Sequence, residues 1–384
     1  MFDVCVVGGG PVGSRSAALL AKTGFKVCII EEHSNSGVPV QCAGLVTPRV
    51  ASMVNVEGCV LNKVRGAEII SPKGQIISFK SKEDKALVLD RQAFDSNLLR
   101  VAVDAGAELM LGHRVDDVKL KQGMAQVRYR ADGGKDSVVT RLVIGADGAS
   151  SVVARSLGFP QVKKYLSGYQ EEHFDTDMER DIVRIHVGNK LAPSFFAWEI
   201  PGRDTVRVGL ACEGGSAMEH FHKLQASGIF KARAAPVHTL AGTIPLGTRI
   251  RTYDDNALLV GDAAGQVKAT TGGGIYMGLK AAEAAVKAVQ YCLERDSLSR
   301  SSLERYQRYW YNSIGKELKN TYKLHRVLCS LSDAELEDIF KQLNKPGVLE
   351  VIQERGDIDY PSRLVFPLVR KAPMLVKYAP RMWG

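Results

Sequence analysis

No run of about 18 apolar residues occurs anywhere in this 384-residue chain, so a transmembrane helix is not expected. The opening MFDVCVVGGG has neither a basic stretch nor a small-residue cleavage site, which excludes a secretory signal as an expectation. Cysteine is sparse. The seven (Cys5, Cys28, Cys42, Cys59, Cys212, Cys292, Cys329) are odd in number and form no CxxC pair. That pattern argues against an iron–sulfur or zinc site and for a reducing cytoplasm. His220 and His222 sit in the polar stretch MEHFHK with no third ligand type nearby, so a surface helix is expected there and no metal. Acid is outnumbered: 51 Lys and Arg face 42 Asp and Glu, a net charge of +9.

What is present is a foldable composition. With 45% hydrophobic and 24% charged residues, the chain can bury the core of two domains and an appendage. The surplus of cations can signal nucleic acid, anionic membrane or plain solubility. Its placement narrows this. From Pro361 to Gly384 the chain reads PSRLVFPLVRKAPMLVKYAPRMWG, five cations and no acid among apolar residues. Such a segment suits a membrane surface rather than nucleic acid; the competing reading is a tail packed on the body with its charges solvated.

The strongest motif is at the start. Asp3 to Val7 is a short apolar strand, followed by Gly8-x-Gly10-x-x-Gly13, a helical stretch stopping at Gly24, and the strand FKVCII ending at Glu31. Gly8 allows a tight turn, Gly10 lets a pyrophosphate approach the backbone, and Gly13 lets helix and strand pack closely. The helix N-terminus supplies free N–H groups for phosphate. Glu31, eighteen residues beyond Gly13, can accept hydrogen bonds from ribose hydroxyls and disfavours a 2′-phosphate. Three further stretches follow. LDRQAFDSNLLRVAVDAGAEL (89–109) is an amphipathic helix carrying Arg91. RLVIGADGASSVVAR (141–155) and ALLVGDAAGQV (257–267) are strands ending in Asp147-Gly148 and Gly261-Asp262. Gly272-Gly273-Gly274 then opens a long alanine-rich helix.

This set, GGGPVG with Glu31, Arg91, GADG and GDAAG with TGGG, resembles the FAD-dependent superfamily of p-hydroxybenzoate hydroxylase over roughly residues 1 to 295. By that resemblance Gly8, Gly10, Gly13, Glu31, Glu32, Cys42, Ala43, Arg91, Asp262, Gly273, Gly274 and Ile275 are expected to bind FAD. No second GxGxxG stands in a strand–helix context, so a two-nucleotide disulfide-reductase architecture is not expected.

Within the superfamily, GVPVQCAGLV (37–46) is similar to the geranylgeranyl reductase segment with a proline–valine pair before a cysteine and a glycine turn, here Pro39, Val40, Cys42 and Gly44. APSFFAWEIPG (192–202) resembles that family's P-x-x-Y-x-W-x-F-P signature through Pro193, Phe196, Trp198, Ile200 and Pro201. Phe196 stands where the family has Tyr and Ile200 where it has Phe, so acid chemistry from a tyrosine hydroxyl is not expected. Alternation along a strand puts Phe196 and Trp198 on one side, as an apolar surface for a polyprenyl chain; Phe195 reads as ordinary core. The resemblance also places Cys42 near the flavin, although a cysteine is often only a small buried hydrophobe. Cys42, Phe196 and Trp198 are thus the candidate catalytic residues.

The resemblance implies an FAD-dependent reductase of geranylgeranyl double bonds in archaeal-type membrane lipids or their precursors. The expected localisation is cytoplasmic and peripheral at the membrane. It leaves the electron donor open among ferredoxin, a deazaflavin and NAD(P)H. The rivals are an FAD monooxygenase of an aromatic or terpenoid, a halogenase (only Trp198, Ile200 and Pro201 match that signature), and a non-catalytic prenyl-binding protein. The expected architecture is α/β. A Rossmann-like FAD-binding domain takes 1–65, 86–160 and 250–298, and an antiparallel-sheet substrate domain takes 66–85 and 161–249. A helical region occupies 299–384.

Overall fold

The computed structural model describes residues 1–175, 177–231 and 235–382. Trp383 and Gly384, at the end of the basic tail, lie outside the described residues. Strand Phe2–Val7 is buried along its last four residues and Val27–Glu31 throughout, as expected for parallel strands covered on both faces. They form the middle of a parallel row that runs Ala257–Leu259, Gly134–Gly145, Phe2–Val7, Val27–Glu31, Glu108–Leu111. The first half of the twelve-residue strand Gly134–Gly145 also pairs antiparallel with Met124–Ala131, which extends the sheet as a meander.

Helix Ile275–Leu293 lies on this sheet through Ala281, Ala285 and Ala288, all fully buried. Small side chains let it pack close, and Gly278 takes this furthest: a Cβ there would meet Val12 Cγ2 at 2.4 Å. Helix Pro11–Ala21 therefore packs directly on the long helix.

A second, seven-stranded sheet runs His238–Leu246, Lys164–Phe174, Thr205–Cys212, Phe196–Pro201, Ile182–Val187, Gly66–Ile70, Ile76–Lys80. Its pairings are antiparallel except one. Ile182–Val187 and Gly66–Ile70 run parallel because they come from separate excursions of the chain rather than one hairpin. A small three-stranded sheet, Leu45–Val46, Ala86–Leu89, Val60–Val64, carries the chain between the two larger ones.

Beyond residue 299 the chain is helical, and it reaches back to the main sheet. From helix Arg300–Trp310, Tyr306 donates its hydroxyl to Leu259 O (2.7 Å) and accepts from Gln266 Nε2 (3.0 Å). Gln266 Oε1 in turn accepts from Gly261 N at 2.8 Å. The appendage thus shapes the GDAAG turn. No described helix is long and apolar enough to cross a membrane.

Candidate functional site

Three turns leave the parallel sheet side by side at its carboxyl edge, where open α/β sheets bind ligands. The register sets this: Val7 lies opposite Gly145, and Gly145 opposite Leu259. The first turn depends on glycine for room. Gly8 has φ +101°, and a Cβ on it would fall 2.4 Å from Ala146 O. At Gly13 a Cβ would fall 2.0 Å from Gly8 O. Gly10 is the opposite case, with nothing within 4 Å of where its Cβ would stand. It begins helix Pro11–Ala21 with no side-chain cap. Bare N–H groups facing open space are the donor set a pyrophosphate needs.

Glu31 is nine-tenths buried at the end of its strand, and it braces the turn. Its Oε2 accepts from Gly9 N at 2.7 Å, and its Oε1 accepts from His33 N at 3.0 Å. Glu32 is half exposed and faces Arg114 at 3.6 Å. In the second turn, Asp147 accepts from Ser151 Oγ (2.6 Å) and Val153 N (3.0 Å), so it fastens the start of helix Val152–Ser156. Burial pushes its carboxyl up despite these bonds.

In the third turn, Asp262 packs against the start of the long helix: a Cβ on Gly274 would lie 2.9 Å from Asp262 Oδ1. Surrounding protein raises its carboxyl to about 6, a rise that the nearby Arg91 guanidinium moderates. Arg91 is held bidentately by Asp95, at 2.9 and 2.7 Å, on helix Arg91–Asp104. Burial works against the Arg91 charge, but Asp95, and then Cys42, more than offset it and hold the guanidinium further up than usual. Cys42, Arg91 and Asp262, far apart in sequence, thus meet in one place. Gly273, Gly274 and Ile275 start the long helix, again without a side-chain cap.

Strand Phe196–Pro201 forms an aromatic wall. Trp198 is fixed by a hydrogen bond from its Nε1 to the buried Gln170 Oε1, 2.8 Å. Opposite it in register is Gly209, where a Cβ would strike Trp198 Cε2 at 2.8 Å, so the missing side chain leaves the room that the indole fills. Phe196 meets Trp198 edge-on at 6.1 Å. Phe195, expected to be ordinary core, is partly buried and packs against the hydrophobic cluster that includes Trp198 and Ile200. Its ring stacks on Phe196 at 4.1 Å and reaches the Gly272 turn, 3.3 Å from where a Cβ would stand. The strand starts only at Phe196, and Ser194 has φ +64°, so strand alternation does not extend to Phe195.

Several residues here escaped the sequence reading. Arg207, 7% exposed, donates Nη1 to Ala43 O (2.8 Å) and Leu89 O (3.0 Å) and Nε to Glu172 (3.2 Å), which sets the loop after Cys42. A cation in the middle of the apolar strand TVRVGLAC was the available signal. Lys268 donates to Asp359 Oδ1 at 2.7 Å, with both side chains under 5% exposed. Asp359 also accepts from Thr47 and Arg49, so it ties the C-terminal region to the Cys42 loop and the triple-glycine turn. His220 and His222 sit on the surface helix Ala217–Ala226, and among the described residues no group of three His, Cys, Asp or Glu is placed to hold a metal.

The residues present fit FAD: an open glycine turn, two uncapped helix starts and three turns at one sheet edge. This is the site of an FAD-dependent oxidoreductase. Residues 1–192 match the FAD binding domain family. A digeranylgeranylglycerophospholipid reductase of Methanopyrus kandleri is 32% identical over 98% of both chains. An uncharacterized protein of Methanocaldococcus jannaschii is 32% identical over 96% of this chain and 95% of its own. Among solved structures, a geranylgeranyl bacteriochlorophyll reductase-like protein of Thermoplasma acidophilum superposes with a TM-score of 0.87 at 22% identity, covering 99% of each chain. The chain belongs to the FAD-binding digeranylgeranylglycerophospholipid reductase family.

Proposed function

We propose that this protein saturates C=C bonds in the geranylgeranyl chains of a membrane lipid or of its precursor. The contact between the cofactor turn and the aromatic wall carries the reading: Phe195 stacks on Phe196 and abuts Gly272. An apolar chain lying there would be recognised by shape and area alone, since a polyprenyl offers no hydrogen bonds. When bound, reduced FAD supplies hydride to one alkene carbon, and a proton must reach the other.

The chain's own contribution is positional. Phe195, Phe196 and Trp198 press the alkene toward the cofactor turn and exclude water. Gln170 holds the indole against rotation. Cys42, beside Arg91 and on the loop braced by Arg207, is the candidate proton donor. The expected cofactor contacts are Gly8, Gly10 and Gly13 to pyrophosphate, Glu31 and Glu32 toward ribose, and Ala43, Arg91, Asp262, Gly273, Gly274 and Ile275 toward the ribityl chain and ring. The three units expected from the sequence, the first two of them discontinuous, belong to this proposal. So does an electron donor drawn from ferredoxin, a deazaflavin or NAD(P)H.

The test is anaerobic incubation of dithionite-reduced holoprotein with a geranylgeranyl lipid, followed by mass spectrometry. Mass gains in two-hydrogen steps are expected. No gain, or oxygen-dependent hydroxylation on re-aeration with NAD(P)H, overturns the reading in favour of a monooxygenase.

A further inference from the structure

The C-terminal helix Val365–Lys371 buries none of its side chains, although five of its seven residues are apolar or proline. Phe366 is 76% exposed, and Val376 in the following turn is 52% exposed. Arg363 and Arg370 stand three residues before and four after Phe366, on the same face of a helical path. Lys371 and Lys377 add two more cations, and among the described residues none of these four pairs with a carboxylate. Arg381 differs: it is bound to Glu335 at 2.6 Å.

The segment is nonetheless firmly held. Tyr378 is buried against Leu331 and Leu336, and Ala372 is buried as well. At the other end, Asp359 is locked to Lys268 beside the triple-glycine turn. Seven residues separate Asp359 from Phe366, a span of at most about 25 Å. An aromatic ring flanked by cations therefore stands on a ledge held at both ends, by Asp359 on one side and Tyr378 on the other.

From this geometry we infer that the ledge formed by Arg363, Phe366, Arg370, Lys371, Val376 and Lys377 docks on an anionic lipid bilayer. The inference rests on the lipid-substrate reading above and adds the surface by which the substrate is reached. An exposed aromatic with flanking Lys and Arg inserts at the headgroup boundary while the cations meet anionic lipid. A second copy of the chain is a poorer occupant, because a two-fold contact through this face would set Arg against Arg on molecules of net charge +9. Glu350 and Glu354 are exposed on the neighbouring helix Pro346–Arg355, so the face is cationic along the ledge itself rather than around it.

The experiment is flotation of full-length holoprotein with vesicles of phosphatidylcholine alone or mixed with phosphatidylglycerol. Binding to the anionic vesicles only is expected, with release near 1 M salt, where screening shrinks to about 3 Å. Each cation is worth roughly fivefold in partitioning, so Arg370→Ala with Lys371→Ala should weaken binding by roughly 30-fold. Phe366→Ser should weaken it by roughly tenfold through lost apolar contact. Thermal unfolding of the variants should match the parent, because these side chains are exposed. Equal flotation of parent and variants overturns the inference. So does absence of flotation, or a Phe366→Ser effect confined to self-association in sedimentation. No turnover is read, so a negative result leaves the reductase reading intact.

Discussion

Two kinds of helix start coexist in this chain. Asp90, Ser216, Ser299 and Ser332 each fold a side-chain oxygen back onto an N–H of the helix it begins, and Ser332 completes a reciprocal pair with Glu335. Helices Pro11–Ala21 and Ile275–Leu293 begin instead at Gly10 and Gly274, with no side chain over the free N–H groups. The difference is one of destination. A capped start satisfies its donors within the chain and contributes stability, whereas a glycine start leaves them for a ligand. Pro48–Ala51 and Pro346–Arg355 are uncapped as well but open on proline, which has no N–H to satisfy, whereas the two glycine starts Gly10 and Gly274 follow turns at the carboxyl edge of the parallel sheet.

Gly13→Ala should show the largest effect on the ligand-facing kind. The added Cβ would fall 2.0 Å from Gly8 O, a backbone atom that can yield only by opening the turn. A loss of about 3 kcal/mol is expected from the overpacking, together with loss of the yellow cofactor on purification. Urea unfolding and the visible absorbance check the two effects, and a yellow, fully stable variant would mean the turn is not the phosphate cradle.

Asp262→Asn should act in the reverse direction on stability. An acid raised to about 6 in the folded state binds a proton that the unfolded chain, titrating near 4, has already released. The linked stability is present below about pH 4 and is lost as pH rises through 6. The amide should therefore stabilise flavin-free protein by about 2 to 3 kcal/mol above pH 7, with no gain below pH 4. The same variant should hold FAD less tightly. Urea titrations at several pH values, with FAD fluorescence on release, give both readouts; a gain equal at all pH values would refute the assignment.

Ser332→Ala should show the smallest effect, a loss of about 1 kcal/mol with FAD content unchanged. Chemical denaturation with a flavin count separates this capped start from the glycine ones. A drop in flavin content would erase the distinction.

The strand–glycine–helix entry, the acid at the end of the second strand and the later Gly-Asp turns were legible because each is a local pattern of fixed spacing. Strands Ile182–Val187, Phe196–Pro201 and Thr205–Cys212 were legible for the same reason. The stacking of Phe195 on Phe196 was not legible, because one residue at φ +64° takes Phe195 out of strand alternation and nothing in the letters marks a backbone turn at Ser194. Arg207 left a trace as a cation in an apolar strand, but its partners, Ala43 and Leu89, lie more than a hundred residues away.

The sequence by itself determined a dinucleotide-binding sheet with two glycine-led helix starts, since glycine there meets steric demands that act over a few residues. Only the tertiary structure decided that Arg207 braces the loop after Cys42, and that Asp359 closes over Thr47 from 312 residues away. Such contacts depend on how whole layers pack, and burial then decides which charges need a partner, which is not encoded in any one stretch of chain.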